Sequence, residues 1–320
     1  MSTQPIVSVI IPTYNAAHWL AEAVQSALDQ TCDNIEVLVF DNASTDATPE
    51  VMAGFTDPRC VYVRAALNVG MAGNITRGIK AAKGRFFMVL GADDILEPGF
   101  LAAAVARLKA EPAAKLLHGR AIWIDGDGNR VGVMGGDWPA RSSGDEAFLR
   151  CFTEGFCFST MIMHTAPVKT LGAMDEQWGL LSDTWLFLKM SLQGDVLFMN
   201  EPLARYRVHE NSVSFELYAD GKMFDDHLAG LEQAFAWPEA QHLQPEMRQA
   251  RLAVAQQALD TLHMTRLGSG FAGICRKTLM IVRAEPHILL RPKAWARFGF
   301  AALPASAIRT MRNARRVARR

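Results

Sequence analysis

Short apolar runs and stretches of helix-like spacing alternate through the first part of the chain. The runs are rich in the aliphatic and aromatic residues typical of buried parallel strands, and the stretches between them place apolar residues three or four positions apart. This alternation predicts βαβ units, and hence an α/β fold with a mostly parallel sheet flanked by helices on both faces. We expect Asn15 to cap the first helix. The strand-like runs are residues 7–11, 35–40, 61–65 and 86–90, and the helix-like stretches are residues 19–28, 48–54, 72–83 and 98–110.

The pattern changes beyond the fourth run. Residues 116–125 and 130–134 flank the turn-forming segment Gly126-Asp127-Gly128-Asn129, which predicts a hairpin. We therefore expect the sheet to be mixed. Two further strand-like pieces follow at Asp195–Met199 and Leu203–Arg207.

The last third of the chain reads as helical, with a strongly basic end. We predict two domains, an α/β domain over residues 1–215 and a helical extension over residues 216–320. Residues 273–320 hold 12 lysines and arginines against one acid, Glu285, although the whole chain has no net charge. Basic residues mixed with aromatic ones suit a helix lying on anionic lipid. A solvated basic tail and nucleic-acid binding are the alternatives; we favour the membrane surface and expect no nucleic-acid partner.

Composition bounds the class of protein. With 320 residues, 50% of them hydrophobic and 21% charged, the chain can bury a large core, which excludes general disorder. Its five cysteines are odd in number and lack ligand-like spacing, which argues against a disulfide framework or a zinc site. No secretory signal or run of roughly 18 to 20 apolar residues is visible. We expect a cytoplasmic protein, peripheral on the inner face of the cell membrane if the basic tail binds lipid.

Two acids follow the second apolar run, in Asp41-Asn42-Ala43-Ser44-Thr45-Asp46. The carboxyl end of a parallel strand is where open α/β sheets bind ligands. A carboxylate there could accept the N3–H of a uracil. Alternatively, both acids cap the next helix, where negative charge is favourable by roughly 0.3 to 1 kcal/mol. The helix cap is favoured for Asp46, and both interpretations stand for Asp41.

A glycine-containing loop enters the third helix. In Asn68-Val69-Gly70-Met71-Ala72-Gly73-Asn74 the glycines allow a ligand to approach the backbone, and a helix N-terminus can face phosphate. The local residues alone favour an ordinary helix start. Arg77 could reach a diphosphate or stand solvated on the surface.

Asp93 and Asp94 follow the fourth run almost directly. Adjacent carboxylates repel one another and are most simply explained by a bound cation. Mg²⁺ and Mn²⁺ take oxygen ligands and can bridge to diphosphate oxygens. A helix cap before Pro98 is the alternative, and we favour the metal site.

Four motifs occur in order along the first domain: Ser8-Val9-Ile10-Ile11-Pro12-Thr13-Tyr14-Asn15, Asp41-Asn42-Ala43-Ser44-Thr45-Asp46, Asn68-Val69-Gly70 and Gly91-Ala92-Asp93-Asp94. Together they resemble the family 2 inverting glycosyltransferases of GT-A (Rossmann-like) fold, over about residues 5–215. The resemblance implies a hexosyltransferase-type enzyme that uses Mn²⁺ or Mg²⁺. It would move a sugar from a nucleotide diphosphate donor to a hydroxyl of a glycan or lipid-linked glycan.

The resemblance also implies roles for single residues. Asp41 would read the base, which favours a UDP-sugar, while Asp93 and Asp94 would hold the ribose and the metal. The family pattern is often Asp-x-Asp-Asp, whereas Gly91 stands at the first acidic position here, so one ribose or metal contact is lost or supplied by water. The expected donor-binding residues are Pro12, Thr13, Tyr14, Asp41, Asn68, Gly70, Asn74, Arg77 and Asp93.

The segment Leu181-Ser182-Asp183-Thr184-Trp185-Leu186 resembles an acceptor-side motif of the family. Asp183 is the expected general base, since inversion needs a carboxylate opposite the leaving diphosphate to take the acceptor proton. Helix capping by Ser182 and Asp183 is the alternative. A helix-terminal position would keep Asp183 ionised at neutral pH. Ser182 departs from the family, which often has an acid there.

Arg205-Tyr206-Arg207-Val208-His209 resembles the family motif Tyr-Arg-x-His. A lone histidine is more often structural. In the context of the resemblance, His209 would join Asp93 and Asp94 as a metal ligand or touch the diphosphate.

We therefore predict an inverting glycosyltransferase acting in cell-surface polysaccharide or glycolipid assembly. Gly91 and Ser182 motivate an alternative, a catalytically degenerate nucleotide-sugar-binding or membrane-scaffold protein. A nucleotidyltransferase would need a glycine-rich and basic loop near the first strand, and residues 12–18 contain none. A dinucleotide-binding dehydrogenase is poorly supported, because no G-x-G-x-x-G follows that strand.

Overall fold

The computed structural model divides the chain into two units, Met1–Arg207 and Val208–Arg320. It describes residues 4–32, 34–209, 222–260, 262–290 and 292–301. The predicted boundary near residue 215 lies outside the described residues, so the domain limits 1–215 and 216–320 stay predictions.

Strands and helices alternate through the first unit as the sequence predicts. The strands are β1 (Val7–Thr13), β2 (Ile35–Asp41), β3 (Cys60–Arg64), β4 (Phe86–Val89), β5 (Ile95–Leu96), β6 (Ala114–Ile124), β7 (Arg130–Met134), β8 (Arg141–Ser142), β9 (Ile162–His164) and β10 (Asp195–Arg207). The helices are α1 (Leu20–Leu28), α2 (Thr48–Ala53), α3 (Met71–Ala81), α4 (Phe100–Ala110), α5 (Gly144–Glu154), α6 (Thr165–Thr170) and α7 (Ser182–Ser191).

All ten strands of the described residues join one sheet. Its main order is β3-β2-β1-β4-β9-β6-β10-β5, with β7 on β6 and β8 on β10. β3, β2, β1, β4, β6 and β10 run in one direction, and the other four strands run against them. The predicted mixed, mostly parallel sheet is confirmed, as is the hairpin formed by β6 and β7.

Successive side chains of β1 point to opposite faces of the sheet. Because these side chains are apolar on both faces, helices cover both faces. Val9 and Ile11 belong to the core cluster that α1 and α4 complete. Ile10 points to the other face, where α3 lies so close that a Cβ on Gly78 would come within 2.4 Å of the Ile10 Cγ2. A glycine at position 78 therefore allows α3 to pack directly on β1.

Two local predictions are wrong, and two helices were not predicted. Asn15 does not cap α1, which begins at Leu20; it has a φ of 48°, and its Oδ1 accepts a 2.8 Å hydrogen bond from the Thr45 backbone N–H. This bond joins the loop after β1 to the loop after β2. The two pieces predicted at 195–199 and 203–207 form the single strand β10, whose register with β6 shifts between Met199 and Ala204. The helices α5 and α6 were not predicted.

The second unit is helical over the residues that the structure describes. Its core is built from apolar side chains such as Leu231, Phe235, Leu259 and Ile281. None of the helices in the described parts of the chain is long and apolar enough to cross a membrane. The helices are α8 (Lys222–Ala236), α9 (Met247–Asp260), α10 (Leu262–Ala284) and α11 (Pro292–Ala301).

Candidate active site

The carboxyl ends of β1, β2 and β4 meet at one edge of the sheet, because these neighbouring strands run in the same direction. In the register of the sheet, Thr13 lies beside Asp41, and Asp41 lies beside Arg64. The segment containing Asp93 and Asp94 begins just after β4 at the same edge. Both acidic motifs therefore lie where open α/β sheets bind ligands.

Pro12, Thr13 and Tyr14 end β1 at this edge. Thr13 is buried; its hydroxyl donates to the Ile11 carbonyl at 3.2 Å, and its carbonyl accepts from the Asn42 N–H at 2.8 Å. The next side chain, Tyr14, is exposed. An exposed aromatic ring at the edge offers a flat face on which a base can stack.

Three hydrogen bonds and one ion pair hold the buried Asp41 carboxylate. Its Oδ1 accepts from the backbone N–H of Ser44 at 2.9 Å and from the Ser44 hydroxyl at 2.5 Å. Its Oδ2 accepts from the Tyr62 hydroxyl at 2.6 Å and lies 3.3 Å from the Arg64 Nε. Tyr62 and Arg64 stand two residues apart on β3, so both point to the same face of the sheet. Asp41 is thus fixed in position, which suits recognition better than proton transfer.

Asp46 holds the start of α2. Its Oδ1 accepts from the backbone N–H and the hydroxyl of Thr48, at 3.0 and 2.6 Å, and its Oδ2 accepts from the Ala17 N–H at 3.0 Å. Burial alone would raise the pKa of Asp46, but these hydrogen bonds lower it overall. The helix-terminal interpretation favoured for Asp46 is confirmed.

Asn42 ties the loop before α3 to the same edge. Its Nδ2 donates to the Asn68 Oδ1 at 2.8 Å and to the Gly70 carbonyl at 3.1 Å, and its Oδ1 accepts from the Val69 N–H at 2.8 Å. Gly70 has a φ of 77°, which glycine adopts without strain. The structure thus brings Asn68 and Gly70 to the loop after β2, which carries the first acidic motif.

Asn74 and Arg77 are bonded to the protein itself. The buried Asn74 donates from Nδ2 to the Phe40 carbonyl at 2.6 Å, and its Oδ1 accepts from Arg77 at 2.8 Å. The Arg77 guanidinium also lies over the Phe40 ring, 5.2 Å from its centroid. These contacts fasten α3 to the end of β2, and a role of either residue in donor binding stays a prediction.

The carboxylates of Asp93 and Asp94 converge above Gly91. A Cβ at Gly91 would lie 2.7 Å from the Asp94 Oδ2 and 2.9 Å from the Asp93 Oδ1. A side chain at position 91 would therefore require the two carboxylates to shift from this arrangement.

Asp94 is buried and Asp93 is partly exposed. The Asp94 Oδ1 accepts from the Arg207 backbone N–H at 2.9 Å, and its Oδ2 accepts a short hydrogen bond from the Ser159 hydroxyl. Burial, together with the charge of Asp93, raises the pKa of Asp94 to about 7. Both oxygens of Asp94 thus have protein donors.

The oxygens that converge above Gly91 are hard donors of the kind that divalent cations prefer. No group of three or more His, Cys, Asp or Glu side chains is arranged as a metal cage in the described part of the chain. Mg²⁺ commonly binds proteins through one or two carboxylates, with waters and substrate phosphates in the remaining positions. Asp93 and Asp94 therefore fit a metal that is shared with a diphosphate.

The sequence assigns no individual role to Arg207, yet this buried residue joins three segments of the site. Besides its backbone bond to Asp94, its Nε donates to the Asp93 carbonyl at 2.8 Å. Its two terminal nitrogens donate to the Gly126 carbonyl at 3.1 Å and to the Glu22 Oε2 at 2.6 Å. Arg207 thereby connects the acidic loop, the β6–β7 turn and α1. Its place in the motif that resembles Tyr-Arg-x-His is the signal that could have found it.

Asp183 lies in the first turn of α7 and is partly buried. Its Oδ1 accepts from the Thr184 N–H at 2.6 Å. Burial raises the pKa of Asp183 to about 6, so the carboxyl remains mostly ionised at pH 7 but is a stronger base than an exposed aspartate. Ser182 is not the predicted N-cap: its hydroxyl donates to the carbonyls of Asp175 and Gly179.

Cys157 is a buried thiol near the acidic loop. Burial raises its pKa, and the charges of Asp94 and Asp183 raise it further. That Asp183 and the acidic loop form one site stays a prediction.

His209 follows β10 by two residues and falls in the second unit. It is partly buried. Its place in a metal shell stays a prediction.

The sheet order and the acidic edge define the GT-A class of α/β proteins. Residues 8–171 match the family model described as Glycosyl transferase family 2, and the chain belongs to that family. The resemblance expected from the four motifs is confirmed.

Two curated relatives show how far the similarity extends. The chain is 29% identical over 210 residues to an uncharacterized glycosyltransferase of Rickettsia typhi, covering 64% of this chain and 65% of that protein. It is 38% identical over 109 residues to the succinoglycan biosynthesis protein ExoO of Rhizobium meliloti, covering 34% of this chain and 31% of that protein. The matched segments thus span less than two thirds of either relative.

Solved structures share the fold at low sequence identity. S. aureus TarS 1–349 in complex with UDP-GlcNAc aligns with a TM-score of 0.63 and 16% identity, covering 95% of this chain and 91% of that one. The mannosyltransferase PcManGT from Pyrobaculum calidifontis, in complex with GDP-Man and Mn²⁺, aligns with a TM-score of 0.57 and 17% identity, covering 94% and 87%.

Proposed function

We propose that this chain is an inverting, metal-dependent glycosyltransferase that moves a sugar from a nucleotide diphosphate sugar to a hydroxyl acceptor. The observation that carries the proposal is the meeting of two acidic motifs at one sheet edge. Asp41 stands at the end of β2, and the Asp93-Asp94 pair follows β4. Asp183, a carboxylate whose pKa is raised by burial, would complete the site as its base.

The donor would bind along the ends of β1 and β2. The fixed Asp41 carboxylate would accept an N–H of the base, which favours a UDP-sugar, and the exposed Tyr14 ring would stack on that base. Asn68 and Gly70 would present backbone to the donor beside the N-terminus of α3. Pro12, Thr13, Asn74 and Arg77 would complete this side of the site.

A divalent metal, Mn²⁺ or Mg²⁺, would supply the positive charge that stabilises the leaving diphosphate. Asp93 is the better direct ligand, because it is partly exposed while the two oxygens of Asp94 have protein donors. Asp94 and Arg207 would then hold the Asp93 loop in place. The presence of Mn²⁺ in the PcManGT complex supports this class of cofactor.

Asp183 would act as the general base. A pKa of about 6 leaves it ionised at neutral pH and brings its basicity closer to the working pH. The hydrogen bond from the Thr184 N–H orients the carboxylate. The acceptor hydroxyl would lose its proton to the second oxygen of Asp183 as it attacks the anomeric carbon.

The acceptor class follows from the relatives. ExoO is named for succinoglycan biosynthesis, which supports a glycan or lipid-linked glycan acceptor and a role in cell-surface polysaccharide or glycolipid assembly. The second unit would contribute an anionic membrane contact on the cytoplasmic side. Leu290 and Trp295 are both exposed there, and the Trp295 indole is held by a 3.0 Å bond to the Leu289 carbonyl.

A thermal-shift panel tests the donor assignment. UDP-, GDP- and dTDP-sugars are compared with and without Mn²⁺, and we expect the largest stabilisation from UDP-sugars with Mn²⁺. Stabilisation by GDP-sugars alone would overturn the UDP assignment. Donor binding with only background hydrolysis and transfer would support the degenerate binding protein instead.

Vesicle flotation tests the membrane contact. The full chain should float with vesicles containing phosphatidylglycerol and not with pure phosphatidylcholine. The double variant Leu290→Ser, Trp295→Ser should lose most of this binding, while Leu279→Ser, which changes another exposed leucine of the same unit, should keep it. Equal flotation of all three proteins would contradict the contact.

A further inference from the structure

The Asp41 carboxylate has no exposed surface, although the proposed function requires it to meet a nucleobase. Its side chain is 0% exposed. Its two oxygens accept three hydrogen bonds, two from Ser44 and one from Tyr62, and the Arg64 guanidinium forms an ion pair with the Oδ2. A carboxylate offers about four acceptor positions, so one remains for a ligand. A base can reach that position only if a group that covers the carboxylate moves away.

Arg64 is the partner of Asp41 that can move most easily. The two Ser44 donors are buried and lie at 2.9 Å or less, and the Tyr62 hydroxyl lies at 2.6 Å. The Arg64 Nε lies farther away, at 3.3 Å, in an ion pair, and its side chain is 51% exposed. Solvent around the arginine weakens such an ion pair.

The other contacts of Arg64 place its guanidinium over this edge of the sheet. Its terminal nitrogen donates to the Ser44 carbonyl at 2.7 Å, so the guanidinium spans from the end of β3 to the loop after β2. Arg64 is also the direct neighbour of Asp41 in the register of the sheet. The half-exposed guanidinium thus lies on the Oδ2 side of a carboxylate that is otherwise enclosed.

We propose that Arg64 competes with the donor base for the Asp41 carboxylate. Its guanidinium covers the Asp41 Oδ2 that the base would bond, and it is exchanged for an N–H of the base when the donor binds. This inference rests on the proposed base-reading role of Asp41. Uracil N3–H and guanine N1–H can replace the arginine cation, whereas the cytosine N3 is an acceptor and cannot.

Removal of Arg64 should therefore improve binding of the correct nucleotide. Without the competing Arg64 guanidinium, the Kd for UDP should fall about twofold to fivefold, the size expected for an ion pair with a half-exposed partner. CDP should gain nothing, because its N3 would face an uncovered carboxylate. The ratio of the two affinities is the diagnostic quantity, since a purely structural arginine would affect UDP and CDP alike.

Isothermal titration calorimetry on the full chain with Mn²⁺ tests the proposal. UDP and CDP are titrated into wild type, Arg64→Met and the control Arg59→Met, which removes another arginine paired with an aspartate near the start of β3. We expect a lower Kd for UDP, and a larger preference over CDP, in Arg64→Met only. An unchanged or higher Kd for UDP, or an equal gain for CDP, would overturn the proposal.

A measurement on the wild-type protein covers the case in which Arg64→Met does not fold. The arginine Nε–H resonance of Arg64 in an NMR spectrum should shift on addition of UDP and stay in place on addition of CDP. An Arg64 Nε–H chemical shift that stays unchanged at saturating UDP would contradict the exchange. If wild type binds no nucleotide at all, the proposed function itself fails, and that result is distinct from UDP binding that leaves Arg64 undisturbed.

Discussion

Asp41 and Asp183 are two partly or fully enclosed carboxylates of the first unit, and their surroundings differ. Asp41 accepts hydrogen bonds from Ser44 and Tyr62 and forms an ion pair with Arg64. Among the described residues, Asp183 accepts hydrogen bonds within its own helix turn, from Thr184, and burial raises its pKa to about 6. Residues of other segments hold the first carboxylate, whereas a sequence neighbour holds the second.

This difference separates binding from proton transfer. A carboxylate whose two oxygens are both held by the protein keeps its position, which serves recognition of a ligand. A carboxylate left under-bonded in a buried setting is more basic, which serves removal of a proton. The comparison predicts that changes at Asp41 alter donor affinity, whereas changes at Asp183 alter turnover.

The largest expected effect tests that separation directly. Asp183→Asn should lower kcat by about 10²-fold to 10⁴-fold, the range of general-base catalysis, with the Kd for UDP unchanged. Asp41→Asn should instead raise the Kd for the donor, with a smaller loss of kcat at saturating donor. Steady-state kinetics and calorimetry on both variants give the result. Equal loss of kcat in the two variants would contradict the separate roles of Asp41 and Asp183.

Arg207 should matter most for stability, because it joins the acidic loop to α1 and the β6–β7 turn. Arg207→Met would remove the hydrogen bonds to the carbonyls of Asp93 and Gly126 and the ion pair with Glu22, and it should cost roughly 2 to 4 kcal/mol of unfolding free energy. Urea denaturation measures it. Arg205→Met is the matched control on the same strand, since Arg205 is exposed and pairs with Glu97 at the surface; similar losses in both variants would count against this account.

Gly91 tests how far the acidic loop depends on the space above a glycine. In Gly91→Ala the new Cβ would push on the Asp93 and Asp94 carboxylates, and the Mn²⁺ concentration for half-maximal activity should rise about tenfold. Gly126→Ala serves as control, because a Cβ there meets nothing within 4 Å. A variant with unchanged metal dependence would show that these carboxylates do not set the metal affinity.

The sequence predicted the sheet edge that carries Asp41 and the Asp93-Asp94 pair more completely than the surroundings of Asp183. Parallel strands of regular period place Asp41 and the Asp93-Asp94 pair at one edge, so strand ends alone locate them. The contacts of Tyr62 and Arg64 with Asp41 depend on the register between β2 and β3, which a single sequence does not reveal. The burial that raises the Asp183 pKa depends on packing that includes α5, a helix not predicted at all. Arg207 was missed for a similar reason, since its five partners are distant in sequence.

The smallest expected effect tests whether burial destabilises the ionised Asp183 carboxylate in the folded protein. Its pKa is raised from 3.8 to about 6 on folding, so its contribution to stability is fully present below pH 3.8 and is lost as the pH rises through about 6. Asp183→Asn removes the buried charge and should therefore stabilise the protein by about 1 to 2 kcal/mol at pH 8, discounted for partial exposure. The gain should shrink steadily toward pH 4. Urea denaturation at pH 8 and pH 5 measures the difference, with the exposed Asp29→Asn as control; a gain that is equal at both pH values would mean that the Asp183 carboxylate is as well solvated as an exposed one, and the contrast with Asp41 would have no electrostatic basis.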